Sequence, residues 1–222
     1  MKTSFHKTAI VASIAMLGVA ASGVASAVDI GATATVQNAL TVVKVTDLNM
    51  GTIFATTAAA GGYRYLTLAP ATSAVTAGAG PVTTGVGTVL SLGGAAAAEA
   101  TIAVGGTTPV NVVLPTQAAA AALGTATAAQ MVTYAGGSPI YLQLADPAVA
   151  KFMLMEFTAG GVTGGTNTGT ASVPILTPSF GSTSLSFKIG ASVATDVLGS
   201  GATRTAYQNG NYTATFPVTA NY

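Results

Sequence analysis

Four residues have side chains suited to catalysis or ligand binding. Glu156 lies in the apolar run 152–157, and a carboxyl group in such surroundings can keep its proton and act as a general acid. Tyr63, Arg64 and Tyr65 form a second group, of the kind that binds a sugar by ring stacking and a charge-assisted hydrogen bond. Residues of these types on strands more often serve packing. We therefore favour an outward-facing strand position for Glu156, and cross-strand contacts for the aromatic pair.

Two further segments resemble binding motifs. Asp47, Asn49 and Thr52 flank Gly51 and offer oxygen atoms of the kind that calcium takes. Asp or Asn beside Gly is more typical of a turn, and the spaced Asp series of a calcium loop is missing. The Gly-rich stretch 160–165 lacks the Lys and Ser/Thr context of a phosphate loop and is interpreted as a plain loop. The sequence predicts no catalytic residue, metal or cofactor.

Composition removes several classes of function. His6 is the only histidine, and the chain has no cysteine or tryptophan. Beyond residue 27 there is thus no imidazole for Ser-His-Asp or Cys-His catalysis, and no usual zinc or copper ligand set. Charged residues make up 6% of the chain, whereas about 25% is usual. The basic residues beyond 27 are too scattered for a nucleic-acid surface: Lys44, Arg64, Lys151, Lys188 and Arg204.

Residues 1–27 have the pattern of a secretory signal peptide. Lys2, His6 and Lys7 precede an uncharged apolar stretch that ends on Ala25-Ser26-Ala27, a small-x-small cleavage pattern. We expect removal after residue 27, export of the remainder, and no membrane-spanning segment after cleavage. A retained membrane anchor is the alternative, but Ala, Gly and Ser dilute the stretch toward its end.

The last eleven residues show the clearest strand pattern. One face carries apolar side chains and the other mostly Thr, with a period of two. Pro217 cannot donate a ladder hydrogen bond, so we expect an edge or a bulge at its position. The predicted edge strand has as its principal residues Tyr212, Ala214, Phe216, Pro217, Val218 and Tyr222.

Other short runs predict further strands separated by Gly and Pro turns. They are Thr41–Val45, Leu48–Ile53, Tyr63–Leu68, Glu99–Val104, Val110–Leu114, Ile140–Leu144, Lys151–Phe157 and Ser184–Ile189. In the run 151–157 we expect Met153, Met155 and Phe157 in the core, with Phe152, Leu154 and Glu156 on a partly exposed face. The alanine-rich pieces 117–130 and 145–151 are candidates for short helices. Together the elements predict an all-β, antiparallel sandwich over 40–222, with Ala/Gly-rich insertions.

Residues 28–39 form an N-terminal extended segment with its own alternation. Its apolar face reads Val28, Ile30, Ala32, Ala34 and Val36. Two interpretations stand side by side: the first strand of the domain's own sheet, or a donor strand that completes a sheet in a neighbouring subunit.

Three stretches in order carry a family resemblance: 48–53 (LNMGTI), 100–115 (ATIAVGGTTPVNVVLP), and Lys188–Ala191 leading to the closing segment 209–222. This order resembles the exported bacterial β proteins grouped as domain of unknown function 4402. It is similar, more distantly, to spore-coat-U and fimbrial-subunit sandwiches. Met50 stands where that family more often has an aromatic residue. The resemblance implies an immunoglobulin-like sandwich at the cell surface and supplies no catalytic residues.

These observations favour a non-enzymatic structural subunit of a surface filament or matrix, assembled by β-strand pairing. Its expected partners are other copies of itself or related surface subunits, with a periplasmic chaperone as a possible escort, and no nucleic acid. One alternative is a surface adhesin or carbohydrate-binding module that uses Tyr63, Arg64 and Tyr65. Another is an outer-membrane β-barrel, which the uneven placement of the Tyr and Phe residues disfavours.

Overall fold

The computed structural model describes residues 40–57, 63–79, 87–116, 140–196 and 205–222, which belong to the unit Gln37–Tyr222. All regular elements among the described residues are β-strands. In chain order they are β1 (Val42–Thr46), β2 (Thr52–Thr56), β3 (Arg64–Leu68), β4 (Val75–Ala79), β5 (Thr88–Gly93), β6 (Ala98–Ala103), β7 (Val110–Val113), β8 (Ile140–Leu142), β9 (Phe152–Thr163), β10 (Gly165–Asn167), β11 (Ile175–Pro178), β12 (Ser184–Ala194) and β13 (Thr219–Asn221).

The larger sheet has seven strands and is organised around β12. Residues 184–189 of β12 pair with β6, residues 192–194 pair with β3, and β9 pairs along 186–194. Because a strand has only two edges, β9 occupies one of them, and β6 followed by β3 occupies the other. β1 extends the sheet beside β6, β4 beside β3, and β8 beside β9.

A four-stranded sheet, in the order β10-β11-β7-β13, covers the inner face of the larger one. Phe187 and Ile189 of β12 belong to the same buried cluster as Val110 and Val112 of β7 and Leu176 of β11. Both sheets therefore contribute to one core, as in a two-layer sandwich. The pairings between these strands are antiparallel, which confirms the predicted all-β antiparallel sandwich.

A bulge in β9 decides which of its residues face the core. Ser192 of β12 pairs with Met155, whereas Gly190 pairs with Thr158, so β9 has one extra residue in this interval. Glu156 lies there with φ 51. An extra residue shifts every later side chain to the other face of the strand.

The predicted faces of β9 were therefore partly wrong. Phe152 and Leu154 are buried in the main core instead of lying on a partly exposed face. Met153 and Met155 are buried as predicted, although they lie outside that cluster. Phe157 lies in the main core as predicted, because it follows the bulge.

Three other local predictions were wrong, and one falls outside the described residues. Leu48–Ile53 is not one strand, because the chain turns at Gly51 and β2 begins at Thr52. Residues 145–151 form a turn instead of a helix, because the Asp146 carboxylate accepts a hydrogen bond of 2.9 Å from the Ala148 amide. The stretch 160–165 is not a loop, since β9 continues through Thr163 and β10 begins at Gly165. The predicted helix 117–130 lies outside the residues that the structure describes.

Gly51 allows the chain to pass from β1 into a two-stranded ribbon made of β2 and β5. Its φ is 76, and a Cβ here would overlap the Gly93 carbonyl oxygen and lie 2.7 Å from the Ala95 amide nitrogen. Asn49 secures the turn, since its Oδ1 accepts a 2.8 Å hydrogen bond from the Gly51 amide. Glycine is required at this position by both backbone angle and space.

We predict that Gly51→Ala destabilises the protein. The left-handed backbone alone costs about 1–3 kcal/mol for a residue other than glycine, and the overlap with Gly93 adds to it. Gly105→Ala is the matched control, because a Cβ at Gly105 meets nothing within 4 Å. Urea unfolding of both variants measures the difference, and equal midpoints would contradict the assigned role.

Candidate functional site

The C-terminal segment 212–222 is extended, but most of it has no strand partner among the described residues. Tyr212, Ala214, Phe216 and Val218 are half-buried, Ala220 is buried, and the residues between them are exposed. This alternation agrees with the pattern in the sequence. Regular pairing, however, covers only β13, which lies at the end of the four-stranded sheet.

Hydrogen bonds around β7 show which way the backbone of this segment points. The Val112 amide donates to the Pro174 carbonyl at 3.0 Å, so the backbone of Val112 faces away from β13. Its neighbours Asn111 and Val113 therefore face β13, where they pair with Asn221 and Thr219. The backbone groups of Thr219 and Asn221 point inward, toward β7.

The start of the segment is paired with Gln143, the residue that follows β8. Thr213 and Gln143 exchange backbone hydrogen bonds of 3.1 and 3.2 Å. Because backbone groups alternate from one edge of an extended chain to the other, Thr215 and Pro217 share the inward direction of Thr213. The outward edge consists of the four residues between and after them, Ala214, Phe216, Val218 and Ala220.

The N–H that Pro217 lacks would therefore point to the inward side. The ladder with β7 begins only at Thr219, two residues later, and a proline cannot donate to such a ladder. The sequence predicted an edge or a bulge at this position. In the structure the proline interrupts pairing with the inner neighbour, while the outward edge keeps a complete set of N–H donors.

A groove of about 1080 Å³ separates this segment from β1 and β2. Ala98, Ala100, Phe152, Leu154 and Ile189 line it, and all five belong to the main core. A strand laid in this groove would cover core side chains on one side and meet the outward edge of the C-terminal segment. The lining of the groove thus has the chemistry of a site for an extended chain.

The opposite wall of the groove is less suited to pairing. β1 is an edge strand of the seven-stranded sheet, and its register with β6 shifts between Lys44 and Thr46. Lys44 lines the groove and forms an exposed ion pair of 2.8 Å with Asp47. A bulge and a lysine are common devices that discourage edge pairing, so the C-terminal segment is the better acceptor.

Aromatic contacts hold the C-terminal wall in place. The ring of Tyr207 stacks on Phe152 with centroids 4.4 Å apart, and Tyr212 meets Phe152 edge-on at 5.1 Å. Phe216 packs against Phe157 at 4.7 Å. These contacts attach the segment to the core through side chains, and the described residues form no backbone hydrogen bond with its outward edge.

Tyr207 and Tyr212 also hold the loop that precedes the segment. The Tyr207 hydroxyl accepts from the Asp196 amide at 2.6 Å and donates to the Lys151 carbonyl at 3.0 Å. The Tyr212 hydroxyl accepts from the Gln208 amide and donates to the Gln208 carbonyl, both at 3.1 Å. Sequence reasoning missed Tyr207, whose only signal was its place five residues before Tyr212.

Within the predicted sugar-binding group of Tyr63, Arg64 and Tyr65, the first residue is buried and the other two are half-buried. Tyr63 has 0% exposure, and burial together with the neighbouring Tyr65 raises the pKa of its hydroxyl. The ring of Tyr65 lies across Gly78, where a Cβ would overlap it. The Arg64 amide donates to the Thr195 hydroxyl at 3.0 Å, and the Arg64 carbonyl accepts from the Thr195 amide at 2.8 Å, which holds the start of β3 beside the end of β12. Stacking with a sugar requires an exposed ring face, so Tyr63 cannot supply it.

The other candidates also serve local structure. Asp47 is paired with Lys44 and Asn49 with the Gly51 amide. Glu156 accepts a 2.9 Å hydrogen bond from the Ser192 hydroxyl and so ties the bulge to β12. No group of three or more His, Cys, Asp or Glu in the described ranges could hold a metal ion.

The predicted donor residues Val28, Ile30, Ala32, Ala34 and Val36 lie outside the described residues, as does the predicted signal peptide. No protein-family model, curated protein or solved structure matches this chain. The resemblance to domain of unknown function 4402 therefore stays a prediction. Nowhere in the described part of the chain is there a helix with the length and apolar character needed to cross a bilayer.

The direction of the backbone groups predicts a hydrogen-exchange pattern. At concentrations where the protein is monomeric, the amides of Ala214, Phe216 and Val218 should exchange rapidly, because the described residues supply no acceptor for them. The Thr213 amide, bonded to Gln143, should exchange more slowly. Residue-resolved exchange by NMR measures both, and equal protection at all four positions would refute the assigned edge.

Proposed function

We propose that this protein is an exported, non-enzymatic structural subunit of a cell-surface filament or matrix, and that its subunits join by β-strand pairing. The observation that carries the proposal is the outward edge of the C-terminal segment, which borders a groove lined by core side chains. A site of this kind binds backbone along its edge and apolar side chains along its floor. Export is supported by the signal pattern of residues 1–27.

The segment 28–37 of a neighbouring copy is the occupant that we propose for the groove. Its apolar residues alternate with Asp29, Gly31, Thr33 and Thr35, so one face can meet the floor while the other stays in water. Each backbone hydrogen bond contributes about 0.5–1.5 kcal/mol. Full burial of a Val or Ile side chain contributes about 1.5–3 kcal/mol. Backbone hydrogen bonds extend the contact along the whole segment. The three larger side chains, Val28, Ile30 and Val36, make the contact selective.

The chain's low charge supports close packing of identical copies. Charged residues make up 6% of the sequence, so neighbouring subunits meet with little like-charge repulsion or desolvation of ions. Stability without disulfides is then left to burial and backbone pairing, since the chain has no cysteine.

Two proline substitutions on opposite edges of one segment test the pairing. Ala214→Pro removes an outward N–H and should weaken assembly by about 2- to 12-fold, the equivalent of one lost hydrogen bond. Thr215→Pro removes an inward N–H, on the side where Pro217 already lacks one, and should assemble like the unmodified protein. Sedimentation velocity and electron microscopy of filaments measure the effect. Equal loss in both variants would mean that backbone pairing does not occur at this edge.

The donor face is tested in the same way at the other end of the chain. Ile30→Asp and Val36→Asp each put an unpaired charge on the apolar face and should abolish assembly, because burying such a charge is very unfavourable. Thr33→Asp and Thr35→Asp, on the opposite face, should be tolerated. Circular dichroism verifies that all four variants fold. The assignment would be wrong if the two pairs behaved alike, or if the unmodified protein stayed monomeric at high concentration.

A further inference from the structure

The β2–β5 ribbon presents an apolar face to solvent. On its inner side, Val89 lies in the main core and Ile53 packs against it. On its outer side, Phe54 and Leu90 are directly paired and are 52% and 53% exposed. Leu92, on the same side, is 60% exposed. A contiguous apolar face differs from the scattered exposed residues of ordinary surfaces and marks a place of contact.

No charged residue occurs in either strand of the ribbon; the other outward residues are Thr52, Thr56 and Thr88, with Gly93 at the end of β5. Phe54 also lines the groove described above, so the apolar face continues directly into that groove. Anything bound in the groove therefore lies next to the ribbon.

The short connection between the donor segment and β1 limits how far the donor's own sandwich can lie from the groove. Only residues 37–41 separate Val36, the last residue of the donor face, from Val42, the first residue of β1. A chain of this length spans at most about 20 Å. A subunit that inserts its segment in the groove must therefore hold its own sandwich close to the groove's mouth.

We propose that the outer face of the ribbon is a second contact surface, and that its partner is the sandwich of the neighbouring copy that donates the segment. This inference rests on the proposed function. Three half-exposed side chains provide on the order of 300 Å², whereas a stable interface buries about 800 Å² on each partner. The ribbon is thus too small to join two copies alone, and contributes once the inserted segment holds the second copy nearby.

Cysteine labelling tests the contact, since the chain has no cysteine of its own. Leu92→Cys introduces one thiol on the ribbon, away from the groove lining, and Phe180→Cys introduces one at a position that is 97% exposed. In the assembled protein, maleimide should react with the thiol at position 92 at least about tenfold more slowly than in the monomer, because a contact excludes solvent. The thiol at position 180 should react equally fast in both states. Unchanged labelling at position 92 in assembled samples would overturn the inference.

A second variant separates this inference from the proposed function. Leu90→Thr combined with Leu92→Thr should raise the concentration needed for assembly, whereas Val173→Thr combined with Phe180→Thr, which removes exposed apolar surface elsewhere, should not. If the ribbon variant assembles normally while Ile30→Asp does not assemble, strand pairing stands and the ribbon contact falls. If Ile30→Asp also assembles, the proposed function itself fails. Binding of the monomer to phosphatidylcholine vesicles, lost in the ribbon variant while assembly is unchanged, would assign the ribbon to lipid and overturn our proposal.

Discussion

The structure depends on how the C-terminal segment is attached: by aromatic side chains, with little help from a backbone ladder. Tyr207 and Tyr212 pack against the ring of Phe152, and Phe216 packs against the ring of Phe157. In most sandwiches an edge segment is fixed by backbone hydrogen bonds to its neighbouring strand, so the same bonds both position the segment and pair its backbone. Here side chains hold the segment in place, and one edge of its backbone has no hydrogen-bond partner in the part of the chain that the structure describes.

The two walls of the groove differ, and the difference gives the site a direction. β1 presents Lys44 and a bulge, both of which oppose the addition of a strand. The C-terminal segment presents outward N–H groups, and its proline is on the inward side. A strand in the groove would therefore pair with one wall and only pack against the other. The inserted chain would add to the four-stranded sheet beside β13, without joining the two sheets into a closed barrel.

Period-two alternation predicted the fold class and the faces of the closing segment, because each depends on neighbours two residues apart. It could not predict the faces of β9, where the bulge at Glu156 moves Phe157 to the face that Phe152 and Leu154 occupy. β4, β5, β10 and β11 were missed. β4, β10 and the start of β5 lie in tracts of small residues, where partners rather than side chains define a strand. The sequence pattern could not predict the groove either. The edge on which Pro217 lacks its N–H follows from the hydrogen bonds of Thr213 and Val112 to residues distant in the sequence. No local sequence pattern reveals those bonds.

An edge that has no partner among the described residues is a hazard wherever it is exposed, because any extended chain can form the same backbone hydrogen bonds. Selectivity must therefore come from the floor, where Ala98 and Ala100 leave room and Phe152 and Leu154 supply apolar contact. For a donor segment with a charge on its inner face, the free-energy cost of desolvating the charge would exceed the stabilisation from its backbone hydrogen bonds. The segment 28–37, with Asp29 on the opposite face from Ile30, satisfies this condition. A chain with few reactive side chains can thus recognise a partner by combining an unselective backbone edge with a selective apolar floor.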